Sequence, residues 1–240
     1  MLVSVIDASE CVAFSKTGFP DIIDIKDPSK GSLGFPSLAT IRKVREIVPR
    51  DIRLSVAIGD AENFPGKYSH RAVEAAKAGA DIVKVGLLGF EEPDDTAPFL
   101  AEIRRSLDVS GFGSALLVAG LYADKADRSF ISRFPVIVSS CGVYAALIDT
   151  YGKGGSTVRD FLSSREISDF ARHCREAGIL SVLAGGLGNR DAGRLADAGI
   201  DIAGFRSAVA GDGRGNIGID AEKLKILYGT FDTLKAAVSS

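Results

Sequence analysis

Three stretches of this chain place ionisable side chains inside segments that otherwise read as buried strands, where nearly every residue should be apolar. In Asp21-Ile22-Ile23-Asp24-Ile25-Lys26, a period of two puts Ile23 and Ile25 on one face and Asp24 with Lys26 on the other. In Asp81-Ile82-Val83-Lys84-Val85-Gly86 the two valines share a face and Lys84 points away from them. The third, Leu147-Ile148-Asp149-Thr150, runs into Tyr151-Gly152-Lys153-Gly154-Gly155, so a carboxylate at a strand's C-terminal tip is followed by an amine in a glycine-rich loop. Crowded amines lower each other's pKa, and an amine that is partly neutral near pH 7 can attack a carbonyl to form an imine while a neighbouring carboxylate moves the protons. The alternative is a structural ion-pair network of Asp24, Lys26, Lys84 and Asp149, since buried charges must be paired. Their gathering at strand ends favours the chemical reading.

Two later turns offer an anion site. Ala184-Gly185-Gly186-Leu187-Gly188 and Gly204-Phe205-Arg206-Ser207 combine glycines, which let backbone N–H groups approach an anion, with an arginine and a hydroxyl. Gly185, Gly186, Gly204, Arg206 and Ser207 are therefore candidate phosphate ligands, against the plainer reading of simple tight turns. The segment Asp27-Pro28-Ser29-Lys30-Gly31-Ser32-Leu33-Gly34 directly follows Lys26, and Ser29 and Lys30 make it a second candidate anion nest or else an ordinary solvated loop.

The elements that must position these residues alternate between β-branched apolar runs and helical periodicity from one end of the chain to the other. Expected strands are Leu2 to Asp7, Asp21 to Lys26, Arg53 to Gly59, Asp81 to Leu87, Ser114 to Leu121, Val143 to Thr150, Leu180 to Gly185 and Ile202 to Ser207. Glycines in Ala78-Gly79-Ala80, Ala177-Gly178-Ile179 and Ala198-Gly199-Ile200 sit where a helix must stop before a strand. Helix starts are expected at Asn189-Arg190-Asp191 and at Ser163-Ser164-Arg165-Glu166, and Gly211 to Gly218 should form the last loop before the final helix. Eight βα units without an intervening linker predict one α/β domain over residues 1–240, a closed (β/α)8 TIM barrel rather than an open doubly wound sheet. Strand tips are where such barrels keep their chemistry, and the seventh and eighth loops are where they hold phosphate.

With 46% hydrophobic and 25% charged residues in 240, the chain has ample material for a core. A net charge of −2 from 29 basic and 31 acidic residues argues against a nucleic-acid or anionic-membrane partner. The first residues read directly into a strand without a secretory pattern, and no apolar run approaches the roughly 20 residues that span a bilayer, so a cytoplasmic location is expected. Cys11, Cys141 and Cys174 lack metal-site spacing and read as packing; His70 and His173 fall in helices and are assigned no chemistry. A homo-oligomer is expected from the habits of barrels.

Asp24-Ile25-Lys26-Asp27-Pro28-Ser29-Lys30-Gly31-Ser32-Leu33-Gly34, Val83-Lys84-Val85-Gly86, and Asp149-Thr150 with Lys153 beyond them resemble the (5-formylfuran-3-yl)methyl phosphate synthase family of methanofuran biosynthesis, along the whole chain. The resemblance implies a lyase that converts two glyceraldehyde 3-phosphate molecules into a furan aldehyde phosphate, with neither metal nor organic cofactor. It also implies Lys26 as Schiff-base lysine with Asp24 orienting it, Lys84 tuning the site, Asp149 and Lys153 in proton transfer, and Lys153 as the rival nucleophile. Other readings are a Schiff-base aldolase or isomerase for another sugar phosphate, and a phosphate-binding barrel without catalysis.

Overall fold

The computed structural model describes residues 1–62, 65–90, 93–152, 154–211 and 218–238. Strands β1 (Leu2–Val5), β2 (Ile22–Ile25), β3 (Arg53–Ala61), β4 (Ile82–Leu87), β5 (Leu116–Tyr122), β6 (Ala145–Asp149), β7 (Leu180–Leu183) and β8 (Ile202–Phe205) pair in chain order, all parallel. The sheet closes through Leu2 opposite Gly204 and Val3 opposite Phe205, giving the expected (β/α)8 barrel. Helices α1 (Phe14–Thr17), α2 (Leu38–Ile47), α3 (Pro65–Lys77), α4 (Pro93–Val109), α5 (Arg128–Ser139), α6 (Val158–Phe161), α7 (Ser164–Glu176), α8 (Ala192–Asp197) and α9 (Ala221–Val238) lie between and after the strands. None of the described helices is long and apolar enough to cross a membrane.

Strand periodicity divides the apolar residues into two cores. Val3, Ile23, Val56, Val83, Leu117 and Ile148 face outward and pack with Ile41, Ile103, Phe134 and Phe170 of the helices. Leu2, Ile22, Ile82, Val118, Leu147 and Val182 face the barrel interior. The isoleucines of β2 and the valines of β4 thus meet the helices, and the charges between them turn inward, as their alternation predicts.

Gly79, Gly178 and Gly199 adopt φ of 110°, 72° and 76° just past the ends of α3, α7 and α8, where L-residues would be strained. Ser163 caps α7 reciprocally with Glu166: its hydroxyl accepts from the Glu166 N–H at 3.3 Å, and the Glu166 carboxylate accepts from the Ser163 N–H at 2.8 Å. The expected loop from Gly211 to Gly218 lies outside the described residues over 212–217, although Gly211 N–H donates to the Gly218 carbonyl at 3.1 Å.

One strand departs from simple alternation. The register of β3 on β4 shifts between Ala57 and Gly59, and Gly59 has φ 125°, the signature of a β-bulge. Strict alternation from the inward Ser55 and Ala57 would send Asp60 outward among the helices. The extra residue returns Asp60 to the interior, opposite Gly86.

Candidate active site

Strand β2 supplies Asp24 and, just past its last residue, Lys26, on the same inward face. Direct ladder neighbours of Asp24 are Ser4 on β1 and Ser55 on β3, small polar residues that leave room for its carboxylate. One carboxylate oxygen accepts from Ser55 Oγ at 2.8 Å; the other accepts from Ser4 Oγ at 2.9 Å and from Lys84 Nζ at 2.8 Å. Asp24 is fully buried and Lys84 nearly so. Burial alone would raise the Asp24 pKa, but the Lys84 ammonium, then the Lys26 ammonium, and hydrogen bonds from Lys84 and Ser55 hold it below the ordinary carboxylate range.

Lys26 and Asp149 form a looser pair. Lys26 Nζ lies 3.9 Å from Asp149 Oδ2, with the side chains 14% and 8% exposed. Asp149 is the last residue of β6, across the barrel from β2, and its Oδ1 accepts from the Thr150 N–H at 2.8 Å. At 3.9 Å this pair exceeds hydrogen-bond distance, so neither group is committed to the other. Both line a cavity of about 550 Å³ bordered by the loops after β1, β2, β6, β7 and β8 that descends to Leu2, Ile82, Val118 and Val182. That volume suits a small ligand.

Gly185, Gly186, Gly204, Arg206 and Ser207 also line this cavity, together with Gly155, Ser156 and Thr157 from the loop after β6. Gly185 has φ 100°, and a Cβ there would stand 3.0 Å from the Thr150 backbone nitrogen; Gly186 has φ 67° and is equally hemmed by Thr157. The N–H groups of Gly185 and Gly186 have no acceptor among the described residues. Arg206 lines the cavity and is also engaged behind it. Its two terminal nitrogens clamp the buried Glu10 carboxylate at 2.6 and 2.7 Å, and one also donates to the Ser4 carbonyl at 3.1 Å. The planar fork of arginine matches a carboxylate, so Glu10 holds it against the cavity wall.

The family model for 4-HFC-P synthase matches residues 1–228, nearly the length of this barrel. The chain belongs to the 4-HFC-P synthase family. It is 33% identical over 220 residues to the (5-formylfuran-3-yl)methyl phosphate synthase of Methanothermobacter thermautotrophicus, covering 91% of this chain and 92% of that protein. The protein of the same name from Methanocaldococcus jannaschii is 34% identical over 230 residues, covering 95% and 97%. That of Methanosarcina acetivorans is 35% identical over 217 residues, covering 89% and 92%. Among solved structures, phosphoribosyl anthranilate isomerase from Thermus thermophilus has a TM-score of 0.65 at 13% identity, covering 97% of this chain and 98% of that one. A 3-hexulose-6-phosphate synthase has a TM-score of 0.64 at 19% identity, covering 94% and 98%. At those identities the likeness is one of fold. The family resemblance carried by Asp24 to Gly34, Val83 to Gly86 and Asp149 is thus the family itself, and the chain is an enzyme of it.

Within the family's long motif, Ser29 and Lys30 do not reach the cavity. Ser29 Oγ donates to Asp27 Oδ1 at 2.6 Å, and Lys30 Nζ pairs with Asp27 at 2.8 Å and donates to the Phe35 carbonyl at 3.2 Å. Asp27, the cap of the short 3-10 turn Pro28–Lys30, has drawn both side chains to itself. Lys153 lies outside the described residues. The chain leading to it is described: Asp124, just after β5, accepts from the N–H groups of Tyr151 and Gly152 at 2.7 and 2.9 Å.

Asp60, Tyr122 and Glu10 are interior polar residues that the alternation pattern did not single out. Tyr122 ends β5 on the inward face and its hydroxyl donates to Asp60. Burial first, and then the Asp60 charge, push the Tyr122 phenol well above its ordinary pKa, so it remains a donor. A glycine just before Asp60 was the available signal, because glycine inside a strand marks bulges. Cys11 and Cys174 are buried, with thiols pushed up to about 12 chiefly by desolvation, which suits packing and not nucleophilic chemistry.

Proposed function

We propose that this enzyme joins two glyceraldehyde 3-phosphate molecules into (5-formylfuran-3-yl)methyl phosphate through an imine on Lys26, in the biosynthesis of methanofuran or a related one-carbon carrier. The observation that carries the reading is a lysine amine 3.9 Å from a carboxylate, both facing one cavity at the C-terminal mouth of the barrel. In this scheme the Lys26 ammonium passes a proton to Asp149, and the neutral amine attacks the substrate carbonyl carbon. Loss of water forms the imine, whose nitrogen withdraws electrons from the adjacent carbon. A proton leaves that carbon, and the resulting enamine attacks the second aldehyde. Ring closure, eliminations and hydrolysis of the imine follow, with Asp149 and Lys153 returning protons to leaving oxygens and the water lost in forming the imine taken up again as Lys26 is freed. The balance closes: two trioses carry six carbons and two phosphates, and a six-carbon furan with one phosphate leaves one phosphate and two waters.

Asp24 and Lys84 set the electrostatics beneath the amine, and the distances of 2.8 to 2.9 Å around Asp24 support a fixed charge and not a mobile proton carrier. A substrate phosphate is assigned to the N–H groups of Gly185 and Gly186 and the turn through Gly204 and Ser207, where glycine permits close approach. Ser29 and Lys30 are left out of this assignment, and Arg206 enters it through its hold on Glu10.

Purified protein with glyceraldehyde 3-phosphate should develop the ultraviolet absorption of a conjugated furan and release one phosphate per furan. Aldol joining alone yields neither signal, and a binding barrel yields no product. Borohydride added during turnover should label Lys26. A label confined to Lys153 would overturn the choice of amine.

A further inference from the structure

The loop that follows Lys26 folds back over the barrel instead of standing in solvent. Leu33 is fully buried and joins the interior cluster that includes Ala57, Tyr122 and Leu147. Ser32 Oγ donates to the Thr150 carbonyl at 3.2 Å, tying the loop to the tip of β6. The Leu33 N–H donates to Asp60 Oδ1 at 3.1 Å. The base of the loop is closed by the Asp27 N–H, which donates to the Gly34 carbonyl at 2.9 Å, so a shift at Leu33 is passed to the residue after Lys26.

Asp60 holds this arrangement from below. The β3 bulge turns it inward, the Tyr122 hydroxyl donates to it, and two glycines make space for the pair. A Cβ at Gly31 would overlap Asp60 Oδ2, and one at Gly86 would overlap the Tyr122 hydroxyl. Neither Asp60 nor Tyr122 lines the cavity, so neither is placed to touch substrate. A carboxylate turned into a barrel is costly unless its oxygens are engaged, and here they engage the 27–34 loop and, through Tyr122, a strand two places round the barrel.

We propose that Asp60 is a positioning residue for the reaction: it holds the 27–34 loop over the β3 to β5 side of the barrel mouth, which fixes Lys26. This inference rests on the reading of Lys26 as the reacting amine. It makes the bulge, and not the charged cluster alone, a requirement for turnover.

The test uses the full chain as wild type, Asp60→Ala, Asp60→Asn and Tyr122→Phe, with backbone hydrogen exchange over residues 31–34, steady-state kinetics on glyceraldehyde 3-phosphate, and borohydride labelling of Lys26. In Asp60→Ala, exchange at Leu33 should quicken by at least about tenfold and kcat should fall by about a hundredfold, the size a misplacement of roughly 1 Å produces, while KM stays within about threefold. Asp60→Asn keeps one acceptor oxygen for the Leu33 N–H and should restore part of both losses. Tyr122→Phe, which removes one oxygen and is the variant to rely on if Asp60→Ala does not fold, should move both readouts the same way by less. Unchanged exchange at Leu33, or faster exchange with kcat per folded molecule intact, overturns the proposal. Failure of the wild type to label at Lys26 sinks the assignment of the amine instead, a different signal from a different sample.

Discussion

Two ion pairs begin on β2 and at its end, and they are engaged differently. Asp24 and Lys84 meet at 2.8 Å inside the barrel, where both carboxylate oxygens of Asp24 are engaged by Ser4, Ser55 and the lysine. Two residues further on, just past the end of β2, Lys26 stands 3.9 Å from Asp149 on the cavity wall, with part of each group open to what enters. The residue types are the same. Depth in the barrel decides the difference: well inside, protein groups engage both oxygens of the Asp24 carboxylate, while Lys84 donates one N–H to it and lines the same cavity as the looser pair. At the mouth the pair can remain loose, and a loose amine can trade its proton for a carbon.

The sharpest way to break this contrast is Lys26→Arg, which preserves charge but cannot become a neutral amine. Furan formation should drop by roughly three orders of magnitude or more while calorimetric binding of a phosphate-bearing analogue largely survives. Retained turnover would remove the distinction between the pairs. Lys84→Met should act in the opposite sense, on stability first, because it strands a buried carboxylate; urea melts should show a loss of about 3 to 5 kcal/mol, partly recovered when Asp24→Asn is added.

Asp149→Asn sharpens the comparison from the other side. It should lower kcat by about a hundredfold through loss of the proton acceptor, and shift the urea midpoint less than Lys84→Met does, since at 3.9 Å this pair is longer than a hydrogen bond. The smallest effect is expected from pH. The folded Asp24 carboxyl lies below its unfolded value, so its stabilising contribution is complete above about pH 4 and is lost as pH falls through the folded-state pKa. Denaturation midpoints measured on the acid side should decline less steeply in an Asp24→Asn/Lys84→Met chain than in the wild type.

Closure of the barrel was legible before any coordinates, because eight apolar runs separated by helical segments allow few other parallel sheets. The inward aim of Asp24, Lys26 and Lys84 was equally legible, since a strand's period of two leaves a charge beside two isoleucines or valines no other face. Family membership was readable from the motif running from Asp24 to Gly34.

Partner choice was not. Alternation says that a charge points inward and is silent on which neighbour it meets, so Lys84 choosing Asp24 and Lys26 facing Asp149 depend on strand registers that only the closed sheet defines. Composition pointed to an anion nest at Ser29 and Lys30, yet a local carboxylate two or three residues away competes for both side chains, and Asp27 holds them. Arg206 found Glu10 from the far end of the chain. Asp60 shows the limit most plainly: one extra residue in β3 reverses the face of everything after it, and whether a glycine makes a bulge is decided by the strand it must pair with.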